Sequence, residues 1–268
     1  MKDIITSSKN QQLKNVSMLL KSKKERDEQG LFVVEGLRIF EDAVKSACPL
    51  IDRIFFSEGF YNEHKDIVSQ AVERIESTRV ELVNDRVFEG ISGTVTPQGV
   101  LCVLRRPEYT ADDIIKRANE KNGCRSRILL LEDIQDPGNL GTMLRTCEAS
   151  GTAGIIMSRG TADIFNPKVT RATMGSIFRV PFVYTGDICA EAEKLKASGM
   201  SVYAAYLHGG QPYESVDFSD SCAIMIGNEG NGLSDRAVSA ASECVYIPMY
   251  GEVESLNAAI AAAVLMFH

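Results

Sequence analysis

Short apolar runs recur along the chain, and each is followed by a stretch whose apolar residues fall at helical spacing. Runs at 31–34, 51–56, 79–83 and 99–104 read as strands. Between them, Ile39, Phe40, Ala43 and Val44 share one helical face, 66–75 reads as a helix, and a short helical piece lies near Val87. Ahead of this alternation, Leu13, Val16, Leu19 and Leu20 predict one amphipathic helix over 9–24, with lysines on its other side. Gly30 closes that basic segment. Strands alternating with helices indicate an α/β unit.

Residues 105–127 break the pattern. They are charged and polar, with one apolar helical turn around Ile114 and Ile115. Beyond them the alternation resumes: strand 128–131, helix 139–150, strand 154–157, helix 168–174, strand 177–183, helix 189–197, and strands 202–206 and 223–226. A last strand runs from Val245 into Pro248, and an Ala-rich helix follows Ser255-Leu256-Asn257. The expected layout is a first α/β domain over 1–105, a linker over 106–123, and a second domain over 124–268. The second reads as an open, mostly parallel sheet with helices on both faces.

Composition narrows the class. Hydrophobic residues make up 44% of the chain and charged ones 24%, which suits a packed globular fold. No run of eighteen apolar residues exists to span a membrane, and the first residues lack a signal-peptide core. The seven cysteines (48, 102, 124, 147, 189, 222, 244) are scattered without a CxxC, and the three histidines (64, 208, 268) lie far apart. No metal site is expected, and the cysteines read as reduced residues of a cytoplasmic protein. A net charge of −7 excludes a nonspecific coat for nucleic acid, but the charge is unevenly placed. Residues 1–26 carry six lysines and one arginine against two acids, a local +5. A second basic cluster comprises Arg105, Arg106, Lys116, Arg117, Lys121, Arg125 and Arg127. Such patches could meet phosphates; they are equally explained as solvated faces.

Three motifs could carry chemistry. In the first, Glu132-Asp133-Ile134-Gln135-Asp136-Pro137-Gly138-Asn139, Pro137 and Gly138 turn the chain after a strand and Asn139 is positioned to cap the helix. Arg145, six residues on, could reach toward a phosphate or alkoxide. The second is the turn Gly227-Asn228-Glu229-Gly230-Asn231-Gly232-Leu233-Ser234. Its GxxGxG order is neither a dinucleotide fingerprint nor a P-loop. Three glycines exceed what a simple turn needs, and Glu229 is either a helix partner or a site residue. The third is Ile247-Pro248-Met249-Tyr250-Gly251-Glu252-Val253-Glu254-Ser255-Leu256-Asn257, in which Ser255 is a plausible N-cap. In the first domain only Glu35 beside Gly36 is suggestive, and a strand-end turn explains it as well.

In this order and at these spacings the motifs resemble the SpoU (TrmH-like) branch of the SPOUT RNA methyltransferases. The resemblance covers roughly 124–268, and Phe32-Val33-Val34-Glu35-Gly36 is similar to the ribosomal-protein-like substrate-binding domain of many members. It implies S-adenosylmethionine-dependent 2′-O-methylation of a ribose in RNA, homodimerisation and a C-terminal trefoil knot. It also implies that Gly227, Gly230, Ile247, Met249 and Leu256 hold the cofactor, while Asn139, Arg145, Glu229, Ser255 and Asn257 face the reacting ribose. Asp136 stands where the family more commonly has Asn. An arginine has been proposed as this family's general base, but a guanidinium pKa above about 12 makes its deprotonation costly. Arg145 therefore reads as phosphate clamp and alkoxide stabiliser. Ribosomal RNA is the expected substrate; a tRNA enzyme and a catalytically silent RNA-binding module are the alternatives.

Overall fold

The computed structural model describes residues 3–75, 79–120, 126–218 and 221–268. Lys121, Cys124 and Arg125 lie outside the described residues. The chain divides into two compact units. One gathers Met1–Pro107 and Asp163–Phe178, the other Glu108–Ala162 and Arg179–His268.

The first unit begins with α1 (Gln11–Lys21) and α2 (Lys23–Gln29), two helices where the apolar spacing predicts one. Ser22 is the cause. Its extended backbone ends α1, and its hydroxyl accepts the Glu25 N–H to cap α2. The break matters to the charge pattern, because Arg26 on α2 is buried rather than part of a basic surface. Its guanidinium donates to Asp163 at 2.6 and 3.0 Å and to the Leu19 carbonyl at 2.6 Å. Then follow β1 (Leu31–Glu35), α3 (Leu37–Ser46), β2 (Ile51–Ser57), α4 (Glu58–Glu63), α5 (Lys65–Arg74), β3 (Val80–Val83), α6 (Asp85–Ile91) and β4 (Val100–Arg105). The sheet order is β1-β4-β2-β3; β4 runs antiparallel to both neighbours and β2 parallel to β3. Leu13, Val16 and Leu19 of α1 pack into its core beside Phe55, Leu101 and Val103.

The second unit contains α7 (Ala111–Asn119), β5 (Ser126–Leu131), α8 (Pro137–Ser150) and β6 (Gly154–Ser158). The chain next forms α9 (Pro167–Ala172), counted with the first unit, and returns as β7 (Phe182–Thr185), α10 (Ile188–Ala197), β8 (Ser201–Ala205) and β9 (Gln211–Pro212). It ends with β10 (Ser221–Ile226), α11 (Asp235–Ala240), β11 (Glu243–Tyr246) and α12 (Ala258–Phe267). Strand order is β7-β6-β5-β10-β8-β11-β9, and every pairing is parallel. β5 is buried along its whole length, as a central parallel strand covered on both faces must be. The strand expected over 177–183 is corrected: a 3-10 turn occupies Ser176–Phe178, after Met174 and Gly175 at positive φ. Pairing starts only at Phe182, once Pro181, which has no N–H to donate, is passed. Since the strands run the same way, the chain leaves β5, β10, β8 and β11 at one common edge.

Candidate active site

All three motifs begin at that edge. Glu132 follows β5, Gly227 follows β10 and Ile247 follows β11. Carboxyl ends of parallel strands are where open α/β sheets form ligand crevices.

The first motif is built differently from the sequence reading. Asp136, not Asn139, is the N-cap of α8: its Oδ1 accepts the Asn139 N–H at 2.8 Å, and Pro137 occupies the first helical turn. An Asn-Pro opening would serve the same capping purpose, which gives position 136 a structural role. Asn139, one turn into the helix and 9% exposed, thereby has its side chain free for other work. Its Nδ2 donates to Glu229 Oε1 at 2.9 Å, and its Oδ1 accepts from Asn257 Nδ2 at 2.8 Å. Asn257 in turn caps α12 by accepting the N–H groups of Ala259 and Ile260. That displaces Ser255 from the expected capping role, because the helix starts at Ala258 rather than two residues earlier.

Glu229, Asn139 and Asn257 thus form one continuous relay, one residue from each motif. The Glu229 carboxylate also accepts the backbone N–H of Gln135 and of Asp136, both at 3.0 Å. Desolvation pushes its pKa up, but the donors at Gln135, Asn139 and Asp136 together outweigh it and hold Glu229 below the usual carboxylate range. The carboxylate stays ionised and clasps the first motif's loop against the glycine turn.

The glycines of that turn are used mainly by the protein itself. At Gly227 a Cβ would overlap the backbone of Gly232 and Leu233, and Gly232 takes φ +68°. Asn228 and Gly232 exchange backbone hydrogen bonds at 3.0 and 2.9 Å, and Asn228 Oδ1 accepts the N–H of Gly230 and Asn231. At Gly230 a Cβ would meet nothing nearer than 3.6 Å. The remaining expected cofactor residues Ile247, Met249 and Leu256 are half-buried at the edge. Among the described residues, no backbone or side-chain group of residues 248–256 makes a hydrogen bond, so that loop keeps its polar backbone free beside apolar side chains.

Two expected residues stand apart from the relay. Arg145, two turns along α8, is exposed and has no hydrogen-bond or ion-pair partner among the described residues. Ser255 is exposed and makes no hydrogen bond among the described residues either. Conversely, Glu132 and Asn228 hold the site although no role was read for them in the sequence. Glu132 accepts both the N–H and the hydroxyl of Ser234 at 2.7 Å, fixing the far end of the glycine turn. Asn228 Nδ2 donates to the Asp133 carbonyl at 2.8 Å. Asp133 itself sits at φ +55°, steadied by Ser158, whose hydroxyl accepts its N–H at 2.8 Å and donates to its carboxylate at 2.6 Å. The one available signal was that Glu132 is the first polar residue after the apolar run of β5.

Residues 126–267 match the model of the SpoU rRNA Methylase family, and residues 10–102 that of the MRM3-like substrate binding domain. The chain is 35% identical to the 23S rRNA (guanosine(2553)-2'-O)-methyltransferase RlmP of Bacillus subtilis (strain 168), over 98% of each chain. An AdoMet-bound rRNA methyltransferase from Sinorhizobium meliloti superposes with a TM-score of 0.82 at 30% identity, covering 99% of this chain and 96% of that one. The SpoU methyltransferase AviRb from Streptomyces viridochromogenes, in complex with AdoMet, does so at 0.80 and 26% identity, covering 97% and 96%.

Proposed function

Because the chain belongs to the SpoU rRNA methylase family, we propose that it methylates the 2′-hydroxyl of a ribose in RNA, ribosomal RNA being the substrate and S-adenosylmethionine the cofactor. The observation that carries this reading is the Glu229–Asn139–Asn257 relay, which binds the three motifs into one edge site. A silent RNA-binding module would have no use for it.

The edge suits the cofactor. A loop with free backbone donors and acceptors, flanked by Ile247, Met249 and Leu256, can match a heteroaromatic ring with a polar rim. Gly230 leaves open space beside it. When bound, S-adenosylmethionine supplies a methyl group already activated by its sulfonium. The protein's own tasks are then to place a ribose and to manage the proton of its 2′-hydroxyl. The relay does the placing: Glu229 fixes the loop 135–136, Asn139 ties α8 to it, and Asn257 ties on α12. Arg145, with no partner among the described residues to neutralise it, offers its guanidinium to the substrate phosphate and to the charge developing on the 2′-oxygen. Ser255, equally unbonded, faces the same substrate.

Residues 1–105 serve as the RNA substrate-binding domain and 124–268 as the methyltransferase domain, joined through 106–123. Homodimerisation is supported by Ile260 and Phe267, one face of α12 left 50% and 62% exposed. A trefoil knot is supported by the course of the last segment. β11 lies beyond β8, whereas α12, which follows it, packs on α8 and β10. No helix among the described residues is long and apolar enough to cross a membrane, and the cytoplasm is where its RNA would be met.

The test is transfer from methyl-labelled S-adenosylmethionine into unmodified ribosomal RNA and into tRNA, followed by nucleoside analysis. The reading expects label in a 2′-O-methylated nucleoside of ribosomal RNA. Label in tRNA alone would replace the substrate, label on a base would overturn the chemistry, and neither transfer nor cofactor binding would favour the silent module.

A further inference from the structure

The described arginines of the second unit fall into three groups. Arg179 and Arg236 are paired with Glu148 and Asp187, and Arg117 donates to the Arg179 carbonyl at 3.5 Å. Arg127 is buried. Arg145 and Arg159 alone are exposed with no partner among the described residues. The first motif predicts a role for Arg145; no motif contains Arg159.

Arg159 follows β6, whose Met157 pairs with Leu131 of β5, so it leaves the sheet at the same edge as the first motif. It is a central residue of a tight turn closed by the Thr161 N–H on the Ser158 carbonyl at 3.1 Å. That turn is fastened to the first motif's loop at several points. Ser158 holds Asp133 through both its N–H and its carboxylate, and the Ala162 N–H donates to the Ile134 carbonyl at 2.7 Å. Gln135 Nε2 donates to the Gly160 carbonyl at 2.5 Å, while the backbone N–H of the same residue goes to Glu229. Gln135 thus ties the turn to the relay. Gly160 permits the approach, since a Cβ there would run into the Asp133 carboxylate. The result is an unpaired guanidinium on a fixed loop, the way a rigid scaffold presents a functional group.

The loops around this turn carry the carboxylates of Glu132, Asp133, Asp136 and Glu229. An RNA strand laid across them is repelled unless cations answer locally. Arg145 is one such cation and Arg159 is the other. The ligand that suits an exposed planar fork of N–H donors is a phosphate, taken bidentately.

We propose that Arg159 binds a backbone phosphate of the RNA strand flanking the reacting nucleotide, a positioning contact beside that of Arg145. This rests on the reading that the edge methylates RNA. The test is steady-state methyl transfer by the full chain into a large-subunit rRNA transcript, under saturating S-adenosylmethionine and at several salt concentrations. One phosphate contact contributes about 0.7–0.9 to the slope of log affinity against log salt, roughly five-fold at about 0.15 M relative to 1 M. Arg159→Ala should therefore raise KM for RNA about five-fold at about 0.15 M salt and flatten the salt dependence of kcat/KM by about 0.7–0.9, with kcat within about two-fold. Arg159→Lys, which keeps the charge, should keep the parent's salt dependence. Cofactor affinity, measured by calorimetry, should be unchanged in both variants, which also certifies that they are folded. A KM and salt dependence that do not move in Arg159→Ala overturn the inference. So does a loss of kcat alone, or a loss of cofactor affinity, which would assign the guanidinium to the cofactor's carboxylate. If the unaltered protein transfers no methyl group to RNA, the reading of the edge fails as well; transfer with an unmoved KM sinks the inference alone.

Discussion

Replacing Asn139 with alanine removes the middle of the relay. The loss comprises a hydrogen bond to an ionised carboxylate, worth about 1.5–3 kcal/mol, and a neutral amide–amide bond worth about 1 kcal/mol. Because Glu229 and Asn257 are open to water, which partly substitutes for Asn139, the net loss falls below that sum, to roughly 2–3 kcal/mol. If the relay's purpose is to hold the ribose-binding groups in register, transfer should fall by about 30- to 150-fold. Asn139→Asp distinguishes this from loss of a generic side chain. It keeps an acceptor for Asn257 but sets a carboxylate against that of Glu229, where the present contact is 2.9 Å. Two like charges so close cannot both stay ionised at low cost. The aspartate variant should be as impaired as the alanine at pH 8 and should regain activity as pH falls toward 5.5, whereas the alanine variant should not. The assay is single-turnover transfer under saturating cofactor, with cofactor affinity measured separately. Less than about three-fold loss in Asn139→Ala, or full activity of Asn139→Asp at pH 8, would refute the relay argument.

Four further outcomes follow from the geometry. Arg145→Ala should leave stability within about 0.5 kcal/mol, since the side chain has no partner among the described residues, yet lower transfer by at least about 100-fold; near-normal turnover would remove Arg145 from the chemistry. Gly227→Ala forces a methyl group into the Gly232 and Leu233 backbone, so the glycine turn must open; cofactor affinity should collapse and thermal stability should fall by about 1–3 kcal/mol, and unchanged calorimetric binding would contradict this. The pKa of Glu229 is depressed by folding, so the stability it contributes is complete above its unfolded value near about 4.3 and is lost as pH falls through the folded value. Thermal unfolding should therefore show Glu229→Gln least stable relative to the parent protein at neutral pH, with the gap closing in acid; a gap that widens in acid is the opposite sign. Aspartate at both Ile260 and Phe267 should convert the proposed dimer to a monomer in sedimentation, and an unchanged mass would remove this face of α12 from the proposed interface.

Much of the fold could be read directly. After their first one or two residues β5, β8 and β10 are apolar runs, because a parallel sheet covered on both faces leaves no polar side. Where the reading failed, the deciding quantity was backbone conformation rather than hydrophobic spacing. Leu19 and Leu20 continue the helical pattern toward Ser22, but Ser22 turns extended and starts a second helix. Ser255 and Asn257 are both competent caps, and only the position at which α12 begins chooses between them. At Asp136 the signal was present, since proline favours the first helical position and points to the residue before it as the cap. The motif residues themselves were legible, but not their division of labour. Hydrogen bonds spanning 90 and 118 residues, from Glu229 to Asn139 and from Asn139 to Asn257, have no local signature. The clamp of Glu132 on Ser234, 102 residues away, has none either.

The central claim is that the edge site modifies a ribose in ribosomal RNA. The most direct measurement is a 2′-O-methyl map of all stable RNA from cells with and without the gene. One 2′-O-methylated nucleotide should vanish from the large-subunit RNA, return with the unaltered gene and stay absent with Arg145→Ala. Loss of a mark from tRNA alone, or maps that are identical, would contradict the account.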